Sequence, residues 1–160
     1  GHDRKIVRAM PNTPSLVNAG MTSVTPNALV TSEDVADVLN IFRCFGEAEV
    51  IAEPMIHPVV GVSGSAPAYV FMFIEAMADA AVLGGMPRAQ AYKFAAQAVM
   101  GSAKMVLETG KHPGELKDMV CSPGGTTIEA VRVLEDRGFR SVVIEAMAKC
   151  MEKSEKLSKS

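Results

Sequence analysis

The stretch Pro67-Ala68-Tyr69-Val70-Phe71-Met72-Phe73-Ile74-Glu75-Ala76-Met77-Ala78-Asp79-Ala80-Ala81-Val82-Leu83 decides how this chain folds. Val70, Phe73, Ile74, Met77 and Ala81 recur at helical spacing up to the Gly84-Gly85 break. The opposite face is nearly as apolar, and Glu75 and Asp79 are its charged residues. Pro67 suits a helical first turn. A helix that is apolar all round has to be covered on every side. The reading is a helix buried in protein, in a chain too short to cover it twice over, so a second copy is expected to share the work.

Downstream of this helix the pattern stays helical. Pro87 opens a helix with Ala91, Phe94, Ala95, Ala98, Val99, Met105 and Val106 on one stripe, closed by Gly110. A short helix is predicted over 114–120, another over 126–137 closed by Gly138, and a last one from Ser141 to about Leu157. Upstream the pattern changes. Lys5–Met10 and Met21–Thr25 read as short strands stopped by prolines, and Glu49–Ile51 as a third. Thr31-Ser32-Glu33-Asp34 opens a helix that Gly46 is expected to end. Three short strands and one helix make a poor domain. They read as the trailing edge of a sheet whose earlier strands lie outside these residues.

Bulk properties exclude several classes. The chain has 160 residues, 48% hydrophobic and 21% charged, with a formal net charge of −2. No basic field draws nucleic acid or anionic lipid. Cys44, Cys121 and Cys150 are odd in number and form no Cys-x-x-Cys, so neither a disulfide framework nor a zinc site is suggested. Reduced thiols fit a cytoplasmic protein. Gly1-His2-Asp3-Arg4-Lys5 does not read as a signal peptide. The apolar run from Val59 to Ile74 carries Gly61, Gly64 and Pro67 and falls short of the ~20 residues of a membrane helix, so no membrane span is expected. Eleven methionines, no tryptophan and a mean hydropathy of +0.18 fit a helix–helix interface, or else a Met-rich core.

The most informative motif is Cys121-Ser122-Pro123-Gly124-Gly125-Thr126-Thr127. Two glycines ahead of a helix expose backbone N–H groups, an arrangement that binds phosphate or carboxylate. Ser122 and Thr127 add hydroxyls. A tight turn with a threonine cap reads the same residues without a ligand. Asn12 and Thr13 follow the first strand, where ligands of open sheets gather, although a proline-rich loop would also explain them. Gly61-Val62-Ser63-Gly64-Ser65 has serine where a nucleophile elbow needs its last glycine. Glu75 and Asp79 share a helix face with no histidine at helical spacing, so a salt-bridge site outweighs a metal. His57 and His112 each neighbour a proline and read as loop or cap residues. No Gly-x-Gly-x-x-Gly and no phosphate loop of the Gly-x-x-x-x-Gly-Lys type occurs.

Together these segments resemble the pyrroline-5-carboxylate reductase family. Pro113–Glu135 looks like that family's signature, and Arg8–Pro14 and Gly61–Tyr69 look like two further family segments in the expected order. The resemblance covers essentially the whole chain. It implies a mainly α fold: the edge of a Rossmann α/β sheet, then an all-helical dimerisation domain like the C-terminal domain of 6-phosphogluconate dehydrogenase. Residues 1–53 would be the trailing strands and helix of a truncated Rossmann-type domain, and residues 54–160 the helical dimerisation and substrate-binding domain. The family's glycine fingerprint lies outside these residues, so they are expected to bind NADPH or NADH poorly and to be inactive alone.

The reaction implied is hydride transfer from NAD(P)H to 1-pyrroline-5-carboxylate, giving L-proline. The substrate carboxylate would meet backbone N–H groups around Gly124, Gly125, Thr126 and Thr127, with Ser122 assisting. Thr127 matches a family residue that hydrogen-bonds the ring nitrogen and is the expected catalytic residue. Glu53 matches a family position near the substrate and would favour the protonated iminium, or else cap a helix ahead of Pro54. Asn12, Thr13 and Pro14 would line the nicotinamide side. The implied partner is a second copy, as a homodimer or higher homo-oligomer, with no nucleic acid, membrane or metal. Two other readings compete: a purely structural helical dimerisation module, and a hydroxy-acid dehydrogenase domain using Lys104, which lacks the Gly-x-x-x-Lys-x-x-x-Asn pattern.

Overall fold

The computed structural model describes residues 3–159, and the expectation about a leader at Gly1-His2 lies in part outside them. The chain divides into two compact units, 1–69 with 145–160, and 70–144.

The first unit holds a three-stranded sheet in the order β1 (Val7–Met10), β2 (Gly20–Pro26), β3 (Gly46–Val50). β1 runs antiparallel to β2 with Ala9 opposite Val24, and β3 runs parallel to β2 with Gly20 opposite Gly46. The middle strand is the buried one: Val24 is 0% and Thr22 1% exposed. The helix α1 (Ser32–Arg43) packs on this sheet. It starts where the sequence predicts, because Thr31 accepts from Asp34 N–H while the Asp34 carboxylate accepts from Thr31 N–H, a reciprocal capping box. Its end is a correction. The helix stops at Cys44, and Gly46 instead opens β3 with φ +150. A Cβ there would stand 2.1 Å from the Gly20 carbonyl oxygen, so the two strands meet through two glycines.

From Glu53 the chain is helical through Leu83, as a 3₁₀ turn (Glu53–Met55), α2 (Ile56–Val59), a single π turn (Val60–Gly64) and α3 (Ala66–Leu83). This corrects the membrane argument. The helical run does not break at Gly61, Gly64 or Pro67, and by length and composition it is long and apolar enough to cross a bilayer. Nor does the chain itself bury α3 on all sides: only 6% of the most apolar window is buried. α7 (Phe139–Ser158) ends in the first unit. There Met151 approaches Gly61, the Cys150 thiol donates to Ser65 Oγ at 3.2 Å, and His57 Nδ1 meets Ser154 Oγ at 2.8 Å. Burial and the Cys150 thiol push the Tyr69 phenol up, the thiol contact being the larger cause.

The second unit contains the rest of α3, then α4 (Arg88–Thr109), α5 (Pro113–Val120), α6 (Thr126–Asp136) and the start of α7. Pro87 caps α4 and Gly110 closes it in the left-handed region, as predicted. The buried side chains here are small: Ala78, Ala91 and Ala95. Phe71, Met72, Phe94 and Leu107 stay exposed. Phe73 and Phe139 pack at 6.1 Å between ring centroids, and Asp79 pairs with Arg88.

Candidate functional site

In the second unit the chain leaves α5 at Cys121, turns through Ser122–Gly124 and enters α6. Gly124 has φ +66, a conformation that favours glycine. Gly125, not a threonine, is the N-cap, and its N–H donates to the Ser122 carbonyl at 3.0 Å. A Cβ on Gly125 would stand 2.3 Å from Ser122 Oγ, so the glycine is what lets this hydroxyl lie against the turn. Among the described residues, the N–H groups of Thr126, Thr127 and Ile128 have no acceptor. They sit at the positive end of the helix dipole, open to an anion. Thr127 is half-buried, and its hydroxyl has no partner among the described residues.

Charges beside this turn are already paired. Arg132 holds Glu129 at 2.7 Å and keeps its carboxyl below the usual range, so that acid does not compete for the turn's donors. The Asp118 carboxylate pushes the Lys117 ammonium up. Cys121 is a free, half-buried thiol.

The first unit holds the other candidates. Asn12, at the carboxyl end of β1, accepts from Met21 N–H at 2.9 Å through Oδ1 and donates from Nδ2 to the Ser63 carbonyl at 3.2 Å. Thr13 and Pro14 begin the 3₁₀ turn Thr13–Val17, where Leu16 and Val17 stand 89% and 74% exposed. Glu53 caps no helix: Ala52 occupies the cap position, and the Glu53 carboxylate pairs with Arg8 at 2.9 Å. Arg8, Glu53, Pro54, Ile56, His57 and Ser158 line a cavity of about 430 Å³. Sequence reasoning missed Arg8, although a lone cation inside the run Ile6–Met10 was the available signal. His112 is a cap, its Nδ1 accepting from Gly114 N–H at 3.0 Å. Among the described residues no group of three His, Cys, Asp or Glu gathers as metal ligands would.

A family profile described as pyrroline-5-carboxylate reductase dimerisation matches residues 53–157. The pyrroline-5-carboxylate reductase of Escherichia coli is 92% identical over 160 residues, which are 100% of this chain and 60% of that protein. The solved structure of a pyrroline-5-carboxylate reductase from Coxiella burnetii superposes with a TM-score of 0.95 at 38% identity, covering 100% of this chain and 60% of that one. A Plasmodium falciparum pyrroline carboxylate reductase, solved with NADP bound, gives 0.89 at 37% identity over 96% of this chain and 62% of its own. The chain thus spans about 60% of the length of the curated relatives it matches. With a matching profile over most of its length, the chain belongs to the pyrroline-5-carboxylate reductase family.

Proposed function

We propose that this chain carries the substrate-binding and dimer-forming part of a reductase that converts 1-pyrroline-5-carboxylate to L-proline with NADPH or NADH. One observation carries the reading: the Ser122–Gly125 turn opens three unpartnered N–H groups at the start of α6, beside an unpartnered threonine hydroxyl. A cyclic imine with a carboxylate needs both kinds of partner. The boundary at Glu53, separating 1–53 from 54–160, is part of the proposal.

The dinucleotide, when bound, supplies the hydride that adds to the C=N carbon, while the ring nitrogen ends with a proton. The residues of this chain do the rest. The N–H groups around Gly124, Gly125, Thr126 and Thr127, with Ser122 Oγ, hold the carboxylate by charge-assisted hydrogen bonds. Thr127 Oγ1 orients the ring nitrogen and stabilises or relays its proton. A threonine hydroxyl is too weak an acid to act alone, so positioning and fixed dipoles dominate. The Glu53 side chain, paired with Arg8 at 2.9 Å, would favour the protonated iminium. Asn12, Thr13 and Pro14 form the nicotinamide side. The exposed Leu16 and Val17 would offer such a ring an apolar surface, whereas no Gly-x-Gly-x-x-Gly loop for its diphosphate occurs among these residues.

Relatives' names and the NADP on the Plasmodium structure support this reading. A cytoplasmic homodimer is part of it, with a second copy rather than a bilayer covering the apolar helix, because that helix falls inside the dimerisation segment. The experiment is NADPH oxidation by a full-length enzyme carrying this sequence, with 1-pyrroline-5-carboxylate as substrate. Proline formation is expected. A full-length enzyme that binds NADPH yet leaves the imine untouched would overturn the proposal.

A further inference from the structure

Both ends of the Asn12 amide are engaged with backbone. The bond to Ser63 has a reason in the chain. Ser63 lies in the π turn Val60–Gly64, directly ahead of α3. In a regular helix its carbonyl would accept from the N–H four residues on. That residue is Pro67, which has no N–H. The neighbouring bonds are displaced as well: Ser65 N–H reaches the Val60 carbonyl at 2.8 Å, and Ala68 N–H the Ser65 carbonyl at 3.1 Å. The helix therefore leaves the Ser63 carbonyl over, and Asn12 Nδ2 takes it up.

We infer that Asn12 is a positioning residue for the reductase reaction, clamping the Met10–Pro14 loop onto the π turn by supplying the hydrogen bond that Pro67 withholds. This rests on the reading given above, in which Thr13 and Pro14 face the nicotinamide. Asn12 immediately precedes them, and its two bonds tie the loop to the start of β2 and to the π turn. A loop held at both places keeps Thr13 and Pro14 in one position before any ligand arrives, which saves the ordering cost of binding.

The test is a double-mutant cycle in the full-length reductase, read by NADPH fluorescence titration and by melting temperature. Asn12→Ala is expected to weaken NADPH binding roughly 10-fold, the scale of one or two lost hydrogen bonds. Pro67→Ala returns an N–H to position 67 and gives Ser63 a donor of its own. In that background the Asn12→Ala penalty on NADPH affinity should shrink by a factor of about 3 or more, with a matching recovery in melting temperature. If Asn12→Ala does not fold, Asn12→Asp replaces it, since Asp keeps the acceptor for Met21 and loses the donor; the charge it adds is present in both the Pro67 and the Pro67→Ala backgrounds and cancels in the cycle. Equal penalties in both backgrounds would overturn the inference. So would a lowered melting temperature with NADPH affinity unchanged, which would make Asn12 merely structural. Failure of the reductase reading looks different: there the wild-type enzyme itself gives no turnover.

Discussion

The role proposed for Thr127 predicts that stability and rate depend on different atoms there. The cap of α6 is Gly125, and the Thr127 hydroxyl bonds to nothing among the described residues. Thr127→Val in the full-length enzyme removes only that hydroxyl and keeps the β-branched shape. A hydrogen bond to a charged or charging nitrogen is worth about 1.5–3 kcal/mol, or roughly 10- to 150-fold in rate. The expected outcome is a kcat/KM lowered by that factor with a melting temperature within a degree or two. An unchanged kcat/KM would move the polar role to Ser122 and Glu53. Gly125→Ala makes the companion case. Its Cβ would drive Ser122 Oγ from its place, since only 2.3 Å separates them. The Michaelis constant for the imine should rise about 10-fold or more while helix content by circular dichroism stays constant. The turn itself was legible in the sequence, because paired glycines before a helix have few other uses. The role of Arg8 was not: its partner Glu53 lies far along the chain, and no periodicity links a strand residue to a distant 3₁₀ turn.

Among the elements, helix starts were read well because their signals are local. The capping box at Thr31 and Asp34, Pro87 before α4 and Gly110 after it all follow from residues within a few positions of the boundary. Gly46 was misread because its role is set by Gly20, a partner in the sheet that no local window contains. The π turn was illegible for the same reason, since its hydrogen bonds are completed by Asn12 from another element. Local charge also sets how the last turns of α7 respond to acid. Glu152 is held by Lys156 and Lys149, hydrogen bonds that lower its pKa from 4.5 to about 2. A depressed carboxylate pKa stabilises the folded form above the unfolded value, and that contribution fades as pH falls through the folded one. The end of α7 should therefore lose amide-exchange protection as pH drops from 4.5 towards 2, before the middle of the helix does. Glu152→Gln should show no such step in that window. A step of equal size in the variant would assign it to other carboxylates.

For the molecule as a whole, the accessible surface is the deciding quantity. Large apolar side chains of α3 and α4 stand open to water: Phe71 is 59%, Met72 67%, Leu83 91% and Leu107 81% exposed. These residues fall within the segment that matches the family's dimerisation profile. A second copy is therefore the expected cover, in an interface of obligate type burying above about 2,000 Å² in total. Sedimentation of this chain at micromolar concentration should give a dimeric or higher mass, and a monomeric mass would refute the assignment. Flotation with phospholipid vesicles, if seen, would make a bilayer the cover instead, since the Glu53–Leu83 helix is long enough to span one. Two substitutions sharpen the test. Phe71→Glu and Met72→Glu each place a charge on the exposed side of α3, where an isolated chain would tolerate it and an obligate dimer would not. Because obligate dimers seldom have a stable folded monomer, mass action adds a further signature. The melting temperature of the wild-type chain should climb with protein concentration over two decades, and in the glutamate variants it should start lower and depend on concentration more weakly.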